Sequence, residues 1–312
     1  MLLEPKLNVH GQSISIQKLI LNYIFPKDPD VVRVRKPEDI RTTTNNVTTL
    51  DFLGMVEKYG YTAEEHYVTT EDGYNLVIHR ITGSPLFKGQ TGKVVFLQTG
   101  LFGTSDCWVL IGAGKDLAFL LADKGYDVWL GNVRGSSYSR SHVKLSPRNK
   151  EFWQFSFHEI GTRDLPTMID YVLDYTKQKS LHFVGISMGT TVLFVLLSMK
   201  PEYNAKIKLA VCLAPIAFWN EVSPMIQYVA NMVTPIIYDV EKIKAPVAIF
   251  YGGNDLVALK STIFELYKRL PNVVLLEEQK SFTHLDFIIA MNVNTLVYSR
   301  VIELFQEFDN KA

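Results

Sequence analysis

One serine stands in a pentapeptide that is typical of nucleophilic catalysis. Ser187 lies in the run GISMG, between Gly185 and Gly189. A G-x-S-x-G run occurs by chance in about one chain in ten of this length, so the spacing alone does not identify a nucleophile. A serine hydroxyl also needs a base to remove its proton and an acid to orient that base. The chemistry therefore depends on the elements around Ser187 and on two partners elsewhere in the chain.

The residues on either side of Ser187 predict a strand, a sharp turn and a helix. The apolar run LHFVG precedes the turn, and TTVLFVLLSM follows it. In a nucleophile elbow the serine takes a strained backbone conformation that lifts its Oγ clear of the sheet. Gly185 and Gly189 are required in that reading, because a side chain at either position collides with the turn. The alternative is that the two glycines only begin a helix.

One of the seven histidines follows the last predicted strand. His66 and His79 fall in an early hairpin and His182 falls in the strand before the serine, so these three are interpreted as structural histidines with satisfied hydrogen bonds. His284, in LLEEQKSFTHLDF, lies in a loop where the final helix begins. This is the position expected for the base.

The candidate acid is Asp255, in PVAIFYGGNDL. It follows an apolar strand and two glycines, and the alternative is an ordinary turn or N-cap aspartate. The chain order Ser187, Asp255, His284 matches that of hydrolases built on a nucleophile elbow.

Two backbone N–H groups are candidates for an oxyanion hole, which binds the negative oxygen of a tetrahedral intermediate. One belongs to Met188, directly after the candidate nucleophile, and does not depend on the methionine side chain. The other lies in the loop TGLFGTSDCW after the strand KVVFLQ, where Leu101 follows Gly100.

Short apolar strands alternate with helices through the rest of the chain, after a hairpin about the turn Glu71-Asp72-Gly73. One helix is predicted over DLPTMIDYVLDYT with Asp164 as its N-cap, and a last long helix begins at about Leu285. This pattern predicts an α/β fold with a mostly parallel central sheet and helices on both faces. Catalytic groups then lie at the carboxyl ends of the strands.

Composition excludes several classes of function. The 312 residues are 47% hydrophobic and carry 32 basic and 32 acidic side chains, so a nucleic-acid partner is not expected. Cys107 and Cys212 are not expected to form a disulfide, and neither a metal site nor a cofactor is indicated.

No apolar run is long enough for a transmembrane segment, and we predict no cleavable signal at the N-terminus. Residues 1–47 are interpreted as a loosely attached lead-in and residues 48–312 as one domain.

Seven runs in order resemble the acid lipase family of α/β-hydrolases, which includes gastric and lysosomal acid lipases and insect digestive lipases. The runs are YVTTEDGYNLVIHRI, LQTGLFGTSDCWV, DVWLGNVRGSSYSRSH, FWQFSFHEIGTRDLPTMIDYVL, LHFVGISMGTTVLFVLLSMKPEY, APVAIFYGGNDLVA and FTHLDFIIAMNV. The resemblance implies an α/β-hydrolase fold that cleaves acylglycerols or sterol esters through an acyl-enzyme, with Ser187, Asp255 and His284 as the triad and Leu101 and Met188 as oxyanion donors. It also implies contact with a lipid–water interface and a secreted or lysosomal location.

The sequence departs from that family in three places. Thr99 stands where the family has histidine at the oxyanion loop, and Ile186 and Met188 stand where its elbow has histidine and glutamine. The largest departure is a cap that is shorter by roughly a hundred residues on comparison with that fold. Residues 216–240 are interpreted as its remnant, and the family's cap also carries its disulfide.

Within the cap remnant, an apolar stripe recurs at helical spacing. Its residues are Val222, Met225, Ile226, Val229, Met232, Val233 and Ile236. The stripe is either a surface helix packed on the core or a rudimentary lid for an acyl chain. Two further hypotheses stay open beside a hydrolase: a catalytically weak lipid-binding protein on a hydrolase scaffold, and a truncated product that lacks its cap.

Overall fold

The computed structural model describes residues 6–9, 12–15, 31–40, 47–89, 92–101, 103–218 and 238–311. Most of the strands in these ranges coincide with the apolar runs that predict them. They are β1 Lys6–Val9, β2 Gln12–Ser15, β3 Val31–Val34, β4 Val47–Leu50, β5 Thr62–Thr69, β6 Tyr74–Gly83, β7 Lys93–Gln98, β8 Tyr126–Asn132, β9 Ser141–His142, β10 Leu181–Ile186, β11 Ile207–Leu213, β12 Val247–Gly252 and β13 Val273–Gln279.

One large sheet organises the domain, with strand order β13-β12-β11-β10-β7-β8-β6-β5 and the short β9 paired to β6. The six strands from β13 to β8 pair in parallel, whereas β5 and β6 form the predicted antiparallel hairpin. Every residue of β8, β10 and β12 is buried, as expected of parallel strands covered on both faces. The prediction of a mostly parallel central sheet is confirmed.

The helices follow the strands in the alternation that the sequence predicts. They are α1 Phe52–Lys58, α2 Leu117–Asp123, α3 Phe157–Glu159, α4 Leu165–Thr176, α5 Met188–Met199, α6 Lys260–Arg269, α7 Asp286–Ile289 and α8 Ser299–Asn310. Among the described residues, none of these helices combines the length and the apolar character needed to span a bilayer.

Strand β8 shows that helices cover both faces of the sheet. The ring of Tyr126 lies 6.0 Å from that of Phe305 in α8. The ring of Trp129 lies 5.5 Å from that of Tyr175 in α4. Because side chains three positions apart on a strand point to opposite faces, α4 and α8 lie on opposite sides of the sheet.

The helical segment that leads into α4 begins at Ser156 and not at Asp164. The carboxylate of Glu159 accepts a hydrogen bond from the backbone N–H of Ser156 at 2.8 Å, which completes a capping box. A π-helical turn, Ile160–Asp164, then joins this first turn to α4. Asp164 has helical backbone angles, and its carboxylate accepts hydrogen bonds from the backbone N–H and Nε of Arg134. Asp164 thus stands directly before α4 as predicted, but its side chain makes no capping hydrogen bond, because its carboxylate pairs with Arg134.

The last helix is interrupted, so the prediction of one long helix from about Leu285 is wrong. The short α7 ends at Ala290, which has extended backbone angles, before a π-helical turn leads into α8. The hydroxyl of Tyr298 donates a hydrogen bond of 2.6 Å to the carbonyl oxygen of Phe287. This side chain supplies a partner for a carbonyl that a continuous helix would have satisfied itself.

Within the predicted lead-in, the described segment 31–40 contacts the sheet domain. Strand β3 pairs in parallel with β4. Nε of Arg35 donates to the carboxylate of Asp51 at 2.7 Å, and the guanidinium of Arg33 lies 3.4 Å from the carboxylate of Asp106. The boundary at residue 47 stays a prediction.

Asp116 is a buried carboxylate next to the start of α2. Its Oδ2 accepts hydrogen bonds from the backbone N–H groups of Ile111 at 2.7 Å and Gly112 at 2.8 Å. Burial raises the pKa of Asp116 to about 6, although both hydrogen bonds act to lower it. Because the unfolded chain releases this proton at lower pH than the folded chain does, the carboxylate reduces stability progressively as the pH rises from about 4 to about 6.

We expect Asp116→Asn to match the parent in stability near pH 4 and to exceed it by about 1 to 3 kcal/mol at pH 8. The amide keeps a carbonyl acceptor for the two N–H groups and has no charge to desolvate. Urea unfolding at pH 4, 6 and 8 measures the difference in free energy. Asp174→Asn is the control, since that side chain is 86% exposed and its replacement should show no such trend. A difference that does not grow with pH would contradict the argument.

Candidate active site

Ser187 occupies a strained turn between β10 and α5. Its backbone angles are φ 53° and ψ −124°, and positive φ is rare for a residue with a side chain. The backbone N–H of Ser187 donates to the carbonyl oxygen of Leu213 at 3.1 Å, which ties the turn to the end of the neighbouring β11. The local structure is the strand, turn and helix that the sequence predicts around a nucleophile elbow.

Glycines allow three backbone segments to meet at this turn. A Cβ on Gly189 would overlap the carbonyl oxygen of Gln98 at the end of β7, and one on Gly185 would lie 3.0 Å from the carbonyl group of Gly189. A Cβ on Gly100 would lie 2.9 Å from the Cβ of Ser187. Gly185 and Gly189 thus lie where the sequence predicts tight contacts. The same requirement at Gly100 was missed, because it arises from a contact between distant residues.

The structure brings Ser187, Asp255 and His284 together. Nε2 of His284 lies 2.8 Å from Oγ of Ser187, and Nδ1 of His284 lies 2.8 Å from Oδ2 of Asp255. A neutral imidazole with its proton on Nδ1 satisfies both contacts: it donates to the carboxylate and accepts from the serine hydroxyl. The side chain of His284 is 13% exposed and that of Asp255 is fully buried.

The buried carboxylate of Asp255 is held by backbone donors as well as by the histidine. Its Oδ1 accepts hydrogen bonds from the N–H groups of Val257 at 2.7 Å and Ala258 at 2.9 Å. Three donors therefore compensate for the loss of water around this carboxylate. They also fix its orientation, so that Oδ2 faces the imidazole.

Two glycines let the loop that carries Asp255 pack on the loop that carries His284. A Cβ on Gly252 would overlap the carbonyl oxygen of Phe282, and one on Gly253 would overlap that of Lys280. Hydrogen bonds join the same loops, from Gly253 N–H to the carbonyl of Gln279 at 2.9 Å and from Asn254 N–H to that of Phe282 at 3.0 Å. The sequence shows both glycines but not the contact that requires them.

The histidine loop is closed by an acidic side chain of its own. Asp286 accepts hydrogen bonds from the backbone N–H of Thr283 at 2.6 Å and from its hydroxyl at 2.7 Å. This contact fixes the backbone on both sides of His284, which lies between the two residues.

The two predicted oxyanion donors lie on either side of Ser187. Met188 is the first residue of α5, and Leu101 follows the glycine that contacts the Cβ of Ser187. In the described ranges, neither of these amides donates a hydrogen bond. The N-terminus of α5 adds a positive partial charge at the same place. Their role as oxyanion donors stays a prediction.

The other histidines named in the hairpin and the feeding strand have internal partners. His66 contacts Tyr171 at 2.9 Å, His79 contacts Ser105 at 2.6 Å, and His182 contacts Asp309 at 3.0 Å. These contacts fit the interpretation of all three as structural histidines. Within the described part of the chain, no group of three or more His, Cys, Asp or Glu residues is placed to hold a metal ion, and both cysteines are free thiols.

The predicted cap remnant lies mostly outside the described residues. Of 216–240, the structure describes 216–218 and 238–240. All positions of its apolar stripe fall in the part that is not described, namely Val222, Met225, Ile226, Val229, Met232, Val233 and Ile236. Both interpretations of that stripe stay open.

Two family models match overlapping parts of the chain. One is described as a partial alpha/beta-hydrolase lipase region and matches residues 53–112. The other is described as the alpha/beta hydrolase fold and matches residues 93–235. Together they take in the hairpin, the oxyanion loop and the elbow.

Curated relatives carry lipase names. Lipase 1 of Drosophila melanogaster is 47% identical over 190 residues, which are 59% of this chain and 41% of that protein. Lipase member K of Homo sapiens is 44% identical over 174 residues, or 44% of its length, so the chain spans less than half of these two relatives. Gastric triacylglycerol lipase of Mus musculus is 30% identical over 360 aligned positions, which cover 81% of this chain and 91% of that protein.

The mouse alignment bears on the predicted shortening of the cap. Its 360 positions exceed the 312 residues of this chain, of which it includes 81%. The mouse lipase therefore has residues within the matched region that this chain lacks. The reduced cap stays a prediction, because the length of the alignment does not place those residues.

Solved structures show the same fold at low sequence identity. The Pyrococcus furiosus esterase Pf2001 superposes with a TM-score of 0.60 at 19% identity and covers 81% of this chain and 93% of its own. A putative lipase from Acinetobacter baumannii gives a TM-score of 0.60 at 14% identity and covers 86% and 100%. These matches and the mostly parallel sheet show the α/β-hydrolase fold. The alignment with lipase relatives over most of their length shows that the chain belongs to the acid lipase family of α/β-hydrolases.

Proposed function

We propose that this chain is a serine carboxylester hydrolase that cleaves apolar acyl esters, such as acylglycerols or sterol esters, through an acyl-enzyme. The observation that carries the proposal is the bridging position of His284, which lies 2.8 Å from both Ser187 and Asp255. The lipase names of the relatives support the substrate class.

In the first half of the proposed reaction, Oγ of Ser187 attacks the ester carbonyl carbon while Nε2 of His284 takes the hydroxyl proton. The carboxylate of Asp255 stabilises the imidazolium that forms. The N–H groups of Leu101 and Met188 hold the carbonyl oxygen as it becomes negative. When the tetrahedral intermediate collapses, the bond to the leaving alkoxide breaks and His284 returns the proton to it as an alcohol.

In the second half, water takes the place of the alcohol. His284 removes a proton from the water, whose oxygen attacks the acyl carbon, and the same two N–H groups hold the second oxyanion. Collapse of this intermediate releases the acid, and the proton returns to Oγ of Ser187. No cofactor is needed, since one imidazole carries out every proton transfer.

Exposed apolar side chains beside each proposed catalytic group support an apolar substrate. Leu101 is 44% exposed, Leu256 beside Asp255 is 73% exposed, and Leu285 beside His284 is 58% exposed. Large apolar side chains that surround a reactive group on the surface suit an acyl chain or a lipid–water interface. The rim of the site thus complements the apolar part of an ester.

We expect Ser187→Ala to lower the rate of p-nitrophenyl butyrate hydrolysis by about 10⁴-fold or more, because no other nucleophile replaces the hydroxyl. A fluorophosphonate probe should label the parent, and digestion should place the label on the peptide with Ser187. Ser198→Ala is the matched control, since it removes the hydroxyl of a serine in α5, the helix that follows Ser187, and should retain both signals.

Equal rates in Ser187→Ala and the parent would refute the nucleophile assignment. A folded parent that neither hydrolyses esters nor reacts with the probe would favour the alternative of a lipid-binding protein on a hydrolase scaffold.

We expect the chain to prefer short and medium acyl esters over emulsified long-chain triacylglycerol. The cap of the family builds much of the acyl groove, and each methylene left in water forfeits about 0.8 kcal/mol of binding. Values of kcat/KM on p-nitrophenyl esters of increasing chain length, and turnover of emulsified triolein, measure the preference. Mouse gastric triacylglycerol lipase serves as the control, and equal or better turnover of the emulsion by this chain would contradict the expectation.

A further inference from the structure

A second Ser–His–acid arrangement lies behind the oxyanion loop. Nδ1 of His79 lies 2.6 Å from Oγ of Ser105, and Nε2 of His79 lies 3.1 Å from Oε2 of Glu65. Both His79 and Ser105 have an exposed fraction of 0%. Because no ester can reach this serine, the arrangement has a use other than chemistry.

The amide of Asn132 completes the arrangement and fixes the direction of its hydrogen bonds. Oδ1 of Asn132 accepts from the backbone N–H of Ser105 at 2.9 Å, and Nδ2 donates to Oγ of Ser105 at 3.2 Å. The hydroxyl of Ser105 is then free to donate to Nδ1 of His79, which leaves Nε2–H to donate to Glu65. The backbone N–H and the hydroxyl of Ser105 thus both have hydrogen-bond partners.

Ser105 bonds to residues of two strands, and one of these residues bonds in turn to a third strand. Glu65 lies in β5, His79 in β6, and Asn132 is the last residue of β8. Ser105 begins the short 3₁₀ helix Ser105–Trp108, directly after the oxyanion loop. The contacts therefore tie the end of the loop that follows β7 to strands on one side of that strand.

Aromatic rings hold the imidazole of His79 in its orientation. Phe52 stacks on it with a centroid distance of 4.3 Å, and Tyr138 meets it edge-on at 4.6 Å. The hydroxyl of Tyr138 donates to the carboxylate of Asp106 at 2.7 Å, so the same cluster also holds the residue after Ser105.

The hydrogen bond from His79 is the largest influence that lowers the pKa of Glu65 to about 2, so this carboxylate stays ionised at neutral pH.

The oxyanion loop is thus fixed at both ends, and Leu101 between them is exposed. At its start, Gly100 lies so near Ser187 that an added Cβ would come within 2.9 Å of the serine Cβ, and the N–H of Gly103 donates to the carbonyl of Gly100 at 3.1 Å. At its end, Ser105 is fully buried, whereas Leu101 is 44% exposed. An N–H group on an exposed loop can act in an oxyanion hole only if its loop is held in place, because donors misplaced by a fraction of an ångström lose much of their effect.

We propose that Ser105, His79, Asn132 and Glu65 are positioning residues that hold the oxyanion loop so that the N–H of Leu101 faces the reacting carbonyl oxygen. The proposal rests on the proposed function, in which that N–H stabilises the tetrahedral intermediate. None of the four touches the substrate.

The hairpin offers a matched control for this arrangement. Nδ1 of His66 lies 2.9 Å from the hydroxyl of Tyr171, and its Nε2 lies 3.0 Å from Oε2 of Glu64. His66 thus has the same kinds of partners as His79, but its ring packs 4.7 Å from Trp129, and Tyr171 belongs to α4 and not to the oxyanion loop. His66→Gln should perturb the hairpin without moving that loop.

The kinetic test compares Ser105→Ala and His79→Gln with His66→Gln and the parent. We expect the first two to lower kcat for p-nitrophenyl butyrate at least about tenfold, with KM within about twofold, since the loss falls on the transition state. The affinity of an alkyl trifluoromethyl ketone, whose adduct with Ser187 bears an oxyanion, should fall by a similar factor. His66→Gln should change neither. Ser105→Ala removes only one oxygen atom, so it still tests the proposal if His79→Gln does not fold.

Hydrogen exchange followed by mass spectrometry tests the same proposal without activity. Ser105→Ala should speed exchange in the peptide that spans residues 99–106 and leave peptides from β10 and α5 unchanged. Unchanged exchange in that peptide of Ser105→Ala overturns the proposal. An unchanged kcat in Ser105→Ala overturns it as well, and so does a loss of kcat in His66→Gln that equals the loss in Ser105→Ala. A parent without esterase activity overturns the proposed function instead, and the exchange result then still decides whether these residues hold the loop.

Discussion

The candidate site depends on close backbone contact at the turn between β10 and α5. Ser187 has positive φ because the chain must turn sharply from strand to helix, and Gly189 and Gly100 lie where a side chain would collide with Gln98 or with Ser187 itself. Because β7 and β10 are neighbouring parallel strands, their carboxyl ends meet at this turn. The sheet order therefore brings the oxyanion loop beside the serine before any side chain contributes.

A second constraint is the width of the sheet. Strand β11 separates β10 from β12, and neighbouring strands lie about 4.8 Å apart, so the loops that carry Ser187 and Asp255 begin about 10 Å apart. A direct hydrogen bond between their side chains is too short to cover this distance. An imidazole with one hydrogen bond on each side covers it, provided that its loop folds back from β13 over β12. The glycines before Asp255 permit that packing, which explains why His284 bridges the other two.

Patterns that are local in sequence predicted most of the fold and the proposed triad. The apolar runs before Ser187 and Asp255 form β10 and β12. The three residues chosen by their order along the chain lie within hydrogen-bonding distance through His284. Contacts between distant residues were not predictable in the same way. Asp164 has the sequence context of an N-cap, but its carboxylate is taken by Arg134, thirty positions away. The break after α7 likewise depends on a hydroxyl from the following turn.

The two Ser–His–acid arrangements show why hydrogen-bond geometry alone does not establish a function. His284 and His79 each lie between a serine hydroxyl and a carboxylate at similar distances. They differ in access and in the backbone of the serine: His284 is partly accessible at 13% exposure and contacts the strained Ser187, whereas His79 is fully buried between aromatic rings. A buried set of satisfied hydrogen bonds gains rigidity, whereas in the proposed reaction the partly accessible set takes a proton from the serine hydroxyl and gives it to the leaving alcohol. This difference in access is why we propose catalysis for the first arrangement and support of the neighbouring loop for the second.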